Sequence, residues 1–253
     1  MSIAIDLSGR VALVTGASQG IGAAISRRLH EAGATVVLDH LGLEQTRADA
    51  ESLAAELEGS RPGGAHVVGA DVADAEAVRA MMAGVKERFG GLDVLVNNAG
   101  ILRDRTVAKM SMDEWKAVID VNLSGVFWAC KYGLEIMNEG GAIVNVGSLS
   151  AEAGFAGQAN YAAAKAGVQA LTRVLAREVA GRSIRVNAVA PGVIGTAMME
   201  QVRPAVREGM LKAIPLGRFG TPREVADAVA FLASPLASYI NGRVLAVDGG
   251  WRG

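Results

Sequence analysis

A serine, a tyrosine and a lysine in the stretch 148–165, SLSAEAGFAGQANYAAAK, are residue types that together can move a proton. Tyr161 and Lys165 are four apart, so on a helix of about 3.6 residues per turn both side chains leave the same face, one turn apart. Ser148 follows the apolar run 142–146, which reads as a buried strand, and the Gly/Ala-rich residues between let the chain turn from strand end into helix. A phenol, an ammonium and a hydroxyl meeting at the carboxyl end of a strand form a proton-transfer site. Free tyrosine titrates near pH ~10, too high for a base at neutral pH. A nearby ammonium favours the phenolate and brings it toward the working range. The Ser148 and Tyr161 hydroxyls are donors that can be aimed at a carbonyl oxygen as it gains negative charge.

A second chemistry-bearing stretch is the glycine loop at 15–22, TGASQGIG, between the first apolar run and the first helical pattern. Gly16, Gly20 and Gly22 allow a tight turn, close approach of backbone to a pyrophosphate and close packing of helix on sheet. The helix N-terminus offers free N–H groups and a positive dipole end to phosphates. The alternative is a purely structural loop. Asp39 stands about 20 residues further on, at the end of the second strand, where an acid accepts hydrogen bonds from ribose hydroxyls and repels a 2′-phosphate. Gln19 in the loop and His40, Leu41 and Gly42 after the strand supply no arginine or lysine for such a phosphate. NAD(H) is therefore expected over NADP(H), unless Asp39 only solvates a strand end.

The elements that must position these groups alternate along the chain. Strands are expected over 11–15, 35–38, 65–69, 92–96, 142–146, 184–189 and 244–247. Helices are expected over 20–32, 45–57, 74–89, 112–137, 160–180 and 222–232. Strands apolar on both faces, alternating with helices, predict an α/β fold: one Rossmann-type doubly wound parallel sheet of about seven strands, helices on both faces, in a single domain over 1–253. Ligands in such sheets bind beyond the carboxyl ends of the strands. Thr15, Asp39, Asp71, Asn97, Ser148 and Pro191 are all expected just past strand ends. Residues 192–214 read as an excursion forming a substrate lid, with Met198, Met199, Met210 and Leu211 as adaptable apolar cover or plain packing. Phe155 and Gln158 are expected to line the pocket.

Composition narrows the function classes. The chain has 253 residues, 51% of them hydrophobic, and a formal net charge of −1 with no basic face, so nucleic acid is not an expected partner. No run approaches the ~18 apolar residues needed to span a membrane, and the N-terminus does not read as a secretion signal, so a cytoplasmic protein is expected. Cys130 is the only cysteine and the three histidines are scattered, so neither an internal disulfide nor a metal site is expected.

Taken together, TGASQGIG at 15–22, Asp71-Val72, NNAG at 97–100, Asn122, Ser148, YAAAK at 161–165 and Pro191-Gly192 resemble the short-chain dehydrogenase/reductase family over essentially the whole chain. The resemblance implies a nicotinamide-dependent oxidoreductase. Tyr161 would exchange the proton with the substrate oxygen, Lys165 would bind the nicotinamide ribose and lower the tyrosine pKa, Ser148 would hydrogen-bond the carbonyl, and Asn122 would hold a water on the proton path. It also implies cofactor contacts from Gly16, Ser18, Gln19, Gly20, Ile21, Gly22, Asp39, Asp71, Val72, Asn98, Ala99, Gly100, Tyr161, Lys165, Pro191, Gly192, Ile194 and Thr196, and a homotetramer packed through the helices bearing Asn122 and Tyr161. The segments NAGILRD at 98–104, GQANYAAAKAG at 157–167 and YING at 239–242 resemble those of 3-oxoacyl-[acyl-carrier-protein] reductases and acetoacetyl-CoA reductases. Two departures stand out. Those reductases usually prefer NADPH, and carrier-docking relatives carry a basic cluster where this chain has Asn138 and Glu139, although Arg182 matches a second basic position. Docking of an acyl carrier protein is therefore not expected. A reductase of 3-oxoacyl thioesters and an NAD-dependent dehydrogenase of a small secondary, polyol or cyclic alcohol remain the alternatives, with a small carbonyl or alcohol as the substrate class. A third, a nucleotide-binding sensor without turnover, is disfavoured by the intact Ser148, Tyr161 and Lys165.

Overall fold

In the computed structural model, which describes residues 4–195 and 204–251, seven parallel strands form one sheet in the order β3-β2-β1-β4-β5-β6-β7. They are β1 (Val11–Val14), β2 (Thr35–His40), β3 (Ala65–Gly69), β4 (Leu92–Asn97), β5 (Met137–Val146), β6 (Arg185–Pro191) and β7 (Val244–Val247). Strand order reverses at β1, whose same residues pair with β2 and with β4, Ala12 facing Val36 on one side and Val94 on the other. That reversal opens the crevice in which doubly wound sheets bind ligands.

Successive strand side chains point to opposite faces, and the sequence makes both faces apolar. Ala12 and Val14 join Ile25 and Leu29 of α1 (Gly20–Glu31) and Val225 and Val229 in one core. Leu13 between them joins the opposite core with Val78, Met82 and Val85 of α3 (Ala75–Phe89), so the sheet is covered on both sides. The first core also takes Leu53 and Leu57 from α2 (Glu44–Ser60).

Helix boundaries follow local chemistry. Asp74 caps α3 by accepting from the Glu76 N–H at 2.9 Å, and Gly90 at φ +79° ends it. Ser111 and Glu114 form a capping box at the start of α4 (Met112–Ile119). The single helix expected over 112–137 is instead three pieces: α4, a π-helical turn at Asp120–Ser124, and α5 (Gly125–Ile136). Asn122 lies in that turn. β5 starts five residues earlier than expected, and its pairing with β4 shifts register between Leu92 and Val94, with Gly140 at φ +73° absorbing the irregularity.

After β5 come the short α6 (Ser150–Ala153) and α7 (Ala159–Glu178), which carries Tyr161 and Lys165. Within the stretch expected as a lid, α8 (Pro204–Lys212) holds Met210 and Leu211, both half-buried, while Thr196, Met198 and Met199 lie outside the described residues. The last helix is α9 (Pro222–Ala233), entered through a second capping box at Thr221 and Glu224. Asp39, Asn97 and Pro191 are the final or penultimate residues of their strands rather than just beyond them, because the parallel pairings β2–β3, β4–β5 and β6–β7 reach that far.

Candidate active site at the carboxyl edge of the sheet

The glycine loop is held in place by its neighbours. Gly16 has φ +61°, and a Cβ there would lie 2.9 Å from the Ala99 Cα, so the turn and the loop after β4 touch backbone to backbone. Thr15 Oγ1 accepts from the N–H groups of Asn98 at 3.0 Å and Ala99 at 3.1 Å. The Asn98 carboxamide donates to the carbonyls of Thr15 at 2.9 Å and Gly16 at 3.0 Å, so this side chain braces the loop. A Cβ on Gly22 would collide with the Gly16 carbonyl oxygen. By contrast, a Cβ on Gly20 would meet nothing within 4 Å. Gln19 does not cap α1 with its side chain, and the first turn has no acid. The loop thus presents uncapped helix-opening amides beside open space, a cradle that suits a dinucleotide pyrophosphate.

Asp39 departs from its expected place. It is only 1% exposed, and its carboxylate accepts from the Gly16 N–H at 3.2 Å and the Ala70 N–H at 3.1 Å. Burial pushes its pKa up to about 7, against the pull of those amides. This carboxylate lies under the glycine loop and ties it to the end of β3. Buried and engaged by backbone amides, it leaves the expectation of NAD(H) over NADP(H) without the residue that carried it. β2 ends on the buried His40, whose Nδ1 accepts from the Gly42 N–H at 2.9 Å, and the exposed Leu41 follows it. Asp71 is exposed past β3, with its Oδ1 accepting from the Ala73 N–H at 2.9 Å, while Val72 is buried against Gly125. On the other side of the crevice, Pro191 and Ile194 are buried and Gly192 lies against the Asp248 backbone.

Four of the singled-out side chains converge between these loops. Lys165 is 2% exposed, and its Nζ donates to the Val146 carbonyl at 2.8 Å. It sits 5.6 Å from the centre of the Tyr161 ring. A Cβ on Gly100 would lie 2.5 Å from Asn122 Oδ1 and 3.7 Å from Lys165 Nζ, so glycine there lets the amide and the ammonium approach each other. Asn122 donates to the carbonyls of Ile101 at 2.9 Å and Val118 at 3.0 Å and accepts from the Ile101 N–H at 3.2 Å. The π turn explains this geometry, since an extra residue in a helical turn displaces backbone from the regular ladder.

The electrostatics are set by burial. Desolvation pulls the Lys165 ammonium down to about 8. Burial also raises the Tyr161 phenol above its ordinary value; the Ser148 hydroxyl pulls it down and the Asp104 charge pushes it further up. Burial thus raises the phenol, and Lys165 Nζ, which lies over the ring, gives its hydrogen bond to the Val146 carbonyl. Ser148 itself bonds to Ser150: its Oγ donates to Ser150 Oγ at 3.1 Å and accepts from the Ser150 N–H at 3.1 Å.

Sequence reasoning passed over Asp104, Ser150 and Asn160. Asn160 is buried and donates to the carbonyls of Arg103 at 3.1 Å and Glu114 at 3.2 Å, anchoring the loop after β4 to the start of α7. Nothing in its position before Tyr161 signals that long-range contact.

A glycine cradle at the switch point, with a Ser–Tyr–Lys–Asn cluster beside it, matches a family described as enoyl-(acyl carrier protein) reductase, whose model covers residues 16–252. This chain belongs to the short-chain dehydrogenase/reductase family. It is 45% identical over 246 residues to the 3-oxoacyl-[acyl-carrier-protein] reductase FabG of Thermotoga maritima, covering 96% of this chain and 98% of that one. It is also 45% identical to the FabG of Vibrio cholerae over 248 residues, 97% of this chain and 98% of that one. Among solved structures, a blue fluorescent protein from a metagenomic library in complex with NADPH aligns with TM-score 0.92 at 37% identity, over 98% of this chain and 100% of that one. A Brucella melitensis protein described as a short-chain dehydrogenase/reductase, glucose/ribitol dehydrogenase, aligns with the same TM-score and identity, over 98% of each chain. The protein is an oxidoreductase of carbonyl and CH–OH groups that uses a nicotinamide dinucleotide, and it resembles the 3-oxoacyl-[acyl-carrier-protein] reductases. No helix among the described residues is long and apolar enough to cross a membrane, and no group of residues among them could hold a metal ion.

Proposed function

We propose that this enzyme reduces 3-oxoacyl thioesters to their 3-hydroxy counterparts, with Tyr161, Ser148, Lys165 and Asn122 as the catalytic groups. The observation that carries this reading is the meeting of a buried Lys165 ammonium, the Tyr161 ring and Asn122 beside Gly100, next to the glycine cradle. The nicotinamide, when bound, supplies the hydride. Tyr161 gives its proton to the carbonyl oxygen, and the phenol, held above its ordinary pKa by burial, stays protonated at neutral pH until that oxygen calls for it. Ser148 donates a hydrogen bond to the same oxygen as charge develops on it. Lys165 stabilises the phenolate left behind. Gly16, Ser18, Gln19, Gly20, Ile21 and Gly22 hold the pyrophosphate, and the backbone of 98–100 and 191–194 holds the remainder of the dinucleotide, with Thr196 beyond the described residues.

On the cofactor's 2′ position, we read discrimination as lying with His40, Leu41 and Gly42 rather than Asp39, and NADPH as a competent reductant. The internal Asp39 and the NADPH named with a structural relative support this. On the substrate side, the relatives are named for carrier-bound acyl chains, but the docking face here is weak. Arg182 is spent on the carbonyls of Leu134 and Met137, at 2.8 and 2.6 Å, and Asn138 donates to Asp93. A thioester presented free of a carrier protein fits that face better. Trp115, Phe127 and Val174 are exposed on α4, α5 and α7, which supports a homotetramer packed through those helices. The reading includes a cytoplasmic location and no nucleic-acid or membrane partner.

The test is a panel of 3-oxoacyl thioesters, simple ketones and polyols assayed with NADH and NADPH, with and without an acyl carrier protein. The reading expects the highest kcat/KM with a 3-oxoacyl thioester. A higher kcat/KM for a polyol or cyclic alcohol would replace it with the dehydrogenase reading.

A further inference from the structure

The residues that follow β7 touch three segments around the site. Asp248 lies against Gly192, where a Cβ would come within 2.8 Å of the Asp248 Cα. The Gly249 carbonyl accepts from the Leu216 N–H at 3.2 Å, and a Cβ on Gly249 would stand 2.8 Å from Ile214 Cγ2. Ile214 and Leu216 come directly after α8. The far end of their stretch is tied back to the continuation of β6, with the Gly195 N–H donating to the Gly220 carbonyl at 2.8 Å and the Gly220 N–H donating to the Val193 carbonyl at 3.0 Å. Gly249 and Gly250 both have left-handed backbone, at φ +66° and +80°, which other residues adopt only at a cost. Asp248 Oδ1 accepts from the Gly250 N–H at 2.9 Å and holds the turn.

The third contact is aromatic. This turn carries the Trp251 ring to Phe155, which it meets edge to face with centroids 5.5 Å apart and planes at 82°. Phe155 lies in the loop joining α6 to α7, between Ser148 and Tyr161 in the chain. That loop is braced in turn, since the Phe155 carbonyl accepts from the Gln158 N–H at 3.1 Å and the Gly157 carbonyl from the Arg105 N–H at 2.8 Å. Both rings are half-buried. The Trp251 indole N–H is buried and meets no acceptor among the described residues, so the residue contributes its ring to this place and not a hydrogen bond.

We infer that Trp251 and Phe155 form an end wall of the substrate pocket that bounds the length of the acyl chain. The inference rests on Ser148 and Tyr161 marking the reacting carbonyl as proposed above. Rings in contact at this spacing leave no passage between them for a hydrocarbon chain. Both rings sit on braced backbone, one on the tight glycine turn and one on the bonded loop, so the wall resists being pushed apart. It joins the loop before Tyr161 to the stretch after α8 and favours short acyl chains over long ones. Removing either ring opens apolar space in the same place. Seating two further methylenes there is worth about tenfold in kcat/KM.

The experiment uses the full chain and compares wild type with Trp251→Ala, Trp251→Phe, Phe155→Ala and the Trp251→Ala/Phe155→Ala double variant. Each is assayed with NADPH on 3-oxoacyl thioesters of four to ten carbons and, in parallel, on a 2-alkanone series of the same lengths. The readout is the ratio of kcat/KM for the ten-carbon substrate to that for the four-carbon one. The wall predicts that this ratio rises about tenfold in Trp251→Ala and in Phe155→Ala, chiefly through a lower KM for the long chain. Trp251→Phe keeps an aromatic ring and should stay within threefold of wild type. The double variant should gain little beyond the larger single, since both cuts open one gap. The NADPH dissociation constant, followed by nucleotide fluorescence, should stay within twofold throughout. Should Trp251→Ala fail to fold by circular dichroism, Phe155→Ala opens the same wall from its other side. A ratio that is unchanged or falls in the alanine variants, or NADPH binding that is lost while the ratio stays put, would overturn the wall. If wild type reduces the alkanones but no thioester, the thioester reading fails, and the same ratio in the alkanone series decides the wall on its own.

Discussion

Lys165 should cost the fold stability in exchange for its chemistry. Its ammonium is fully buried, and the drop from the ordinary 10.5 to about 8 corresponds to about 3 kcal/mol at about 1.4 kcal/mol per pH unit. Against this stands one hydrogen bond to the Val146 carbonyl, a bond to a charged group worth about 1.5 kcal/mol or somewhat more. Lys165→Met, with a similar apolar volume, should therefore be more stable than wild type at pH 7 by about 1–2 kcal/mol, or about 2–8 °C in Tm for a chain of this size. The pH dependence is the sharper signature. The native pKa lies below the unfolded one, so the penalty is complete below pH 8, where both states carry the charge. Between pH 8 and 10.5 the unfolded state binds the proton more tightly, and the wild type gains stability as pH rises. The advantage of Lys165→Met should accordingly shrink from pH 7 to pH 9.5. Urea unfolding of both proteins at fixed chain concentration and both pH values measures this. A variant less stable than wild type at pH 7, or an advantage that grows with pH, would refute the reasoning.

Other expectations are equally direct. Asp39→Ala should weaken NADH and NADPH to a similar degree, since it removes the support under the glycine loop, whereas His40→Arg should raise kcat/KM for NADPH relative to NADH. A selective gain for NADPH in Asp39→Ala would return that carboxylate to the ribose. Gly16→Ala meets both an unfavourable φ and the Ala99 backbone at 2.9 Å, so titration should show cofactor affinity falling tenfold or more, since left-handed backbone alone costs about 1–2 kcal/mol. Asn122→Ala removes two hydrogen bonds with Ile101 and one to the Val118 carbonyl and should lower both Tm and kcat, with Asn122→Asp rescuing neither because it cannot donate to two carbonyls. Sedimentation at micromolar concentration should give a tetramer, and a monomer would oppose the exposed-helix interface.

The fold was legible because its signal is local. Apolar runs such as 11–14 and 36–38 fill both faces of a parallel strand, and capping residues such as Asp74 and Thr221 mark helix starts within a few residues. The site was legible where motif residues carry the chemistry themselves, as with Tyr161 and Lys165. It was not legible where a residue's role is set by something distant in sequence. Asp39 reads as a strand-end acid, yet the turn of the glycine loop brings Gly16 onto it and hides it. Asp104 reaches Gln158 across 54 positions, and no periodicity encodes that contact. The π turn at Asn122 escaped notice because 112–137 has the apolar spacing of one helix. The upward push on the Tyr161 phenol comes from burial, which an i, i+4 spacing does not encode.

The central claim is that Tyr161 delivers the proton. Pre-steady-state oxidation of NADPH by a 3-oxoacyl thioester, followed in wild type and Tyr161→Phe with NADPH binding measured in parallel, tests it most directly. The account predicts that the variant binds NADPH within twofold of wild type and loses at least a hundredfold in the rate of nucleotide oxidation, in the range of a lost general acid. Turnover within tenfold of wild type in a variant that binds NADPH normally would contradict it.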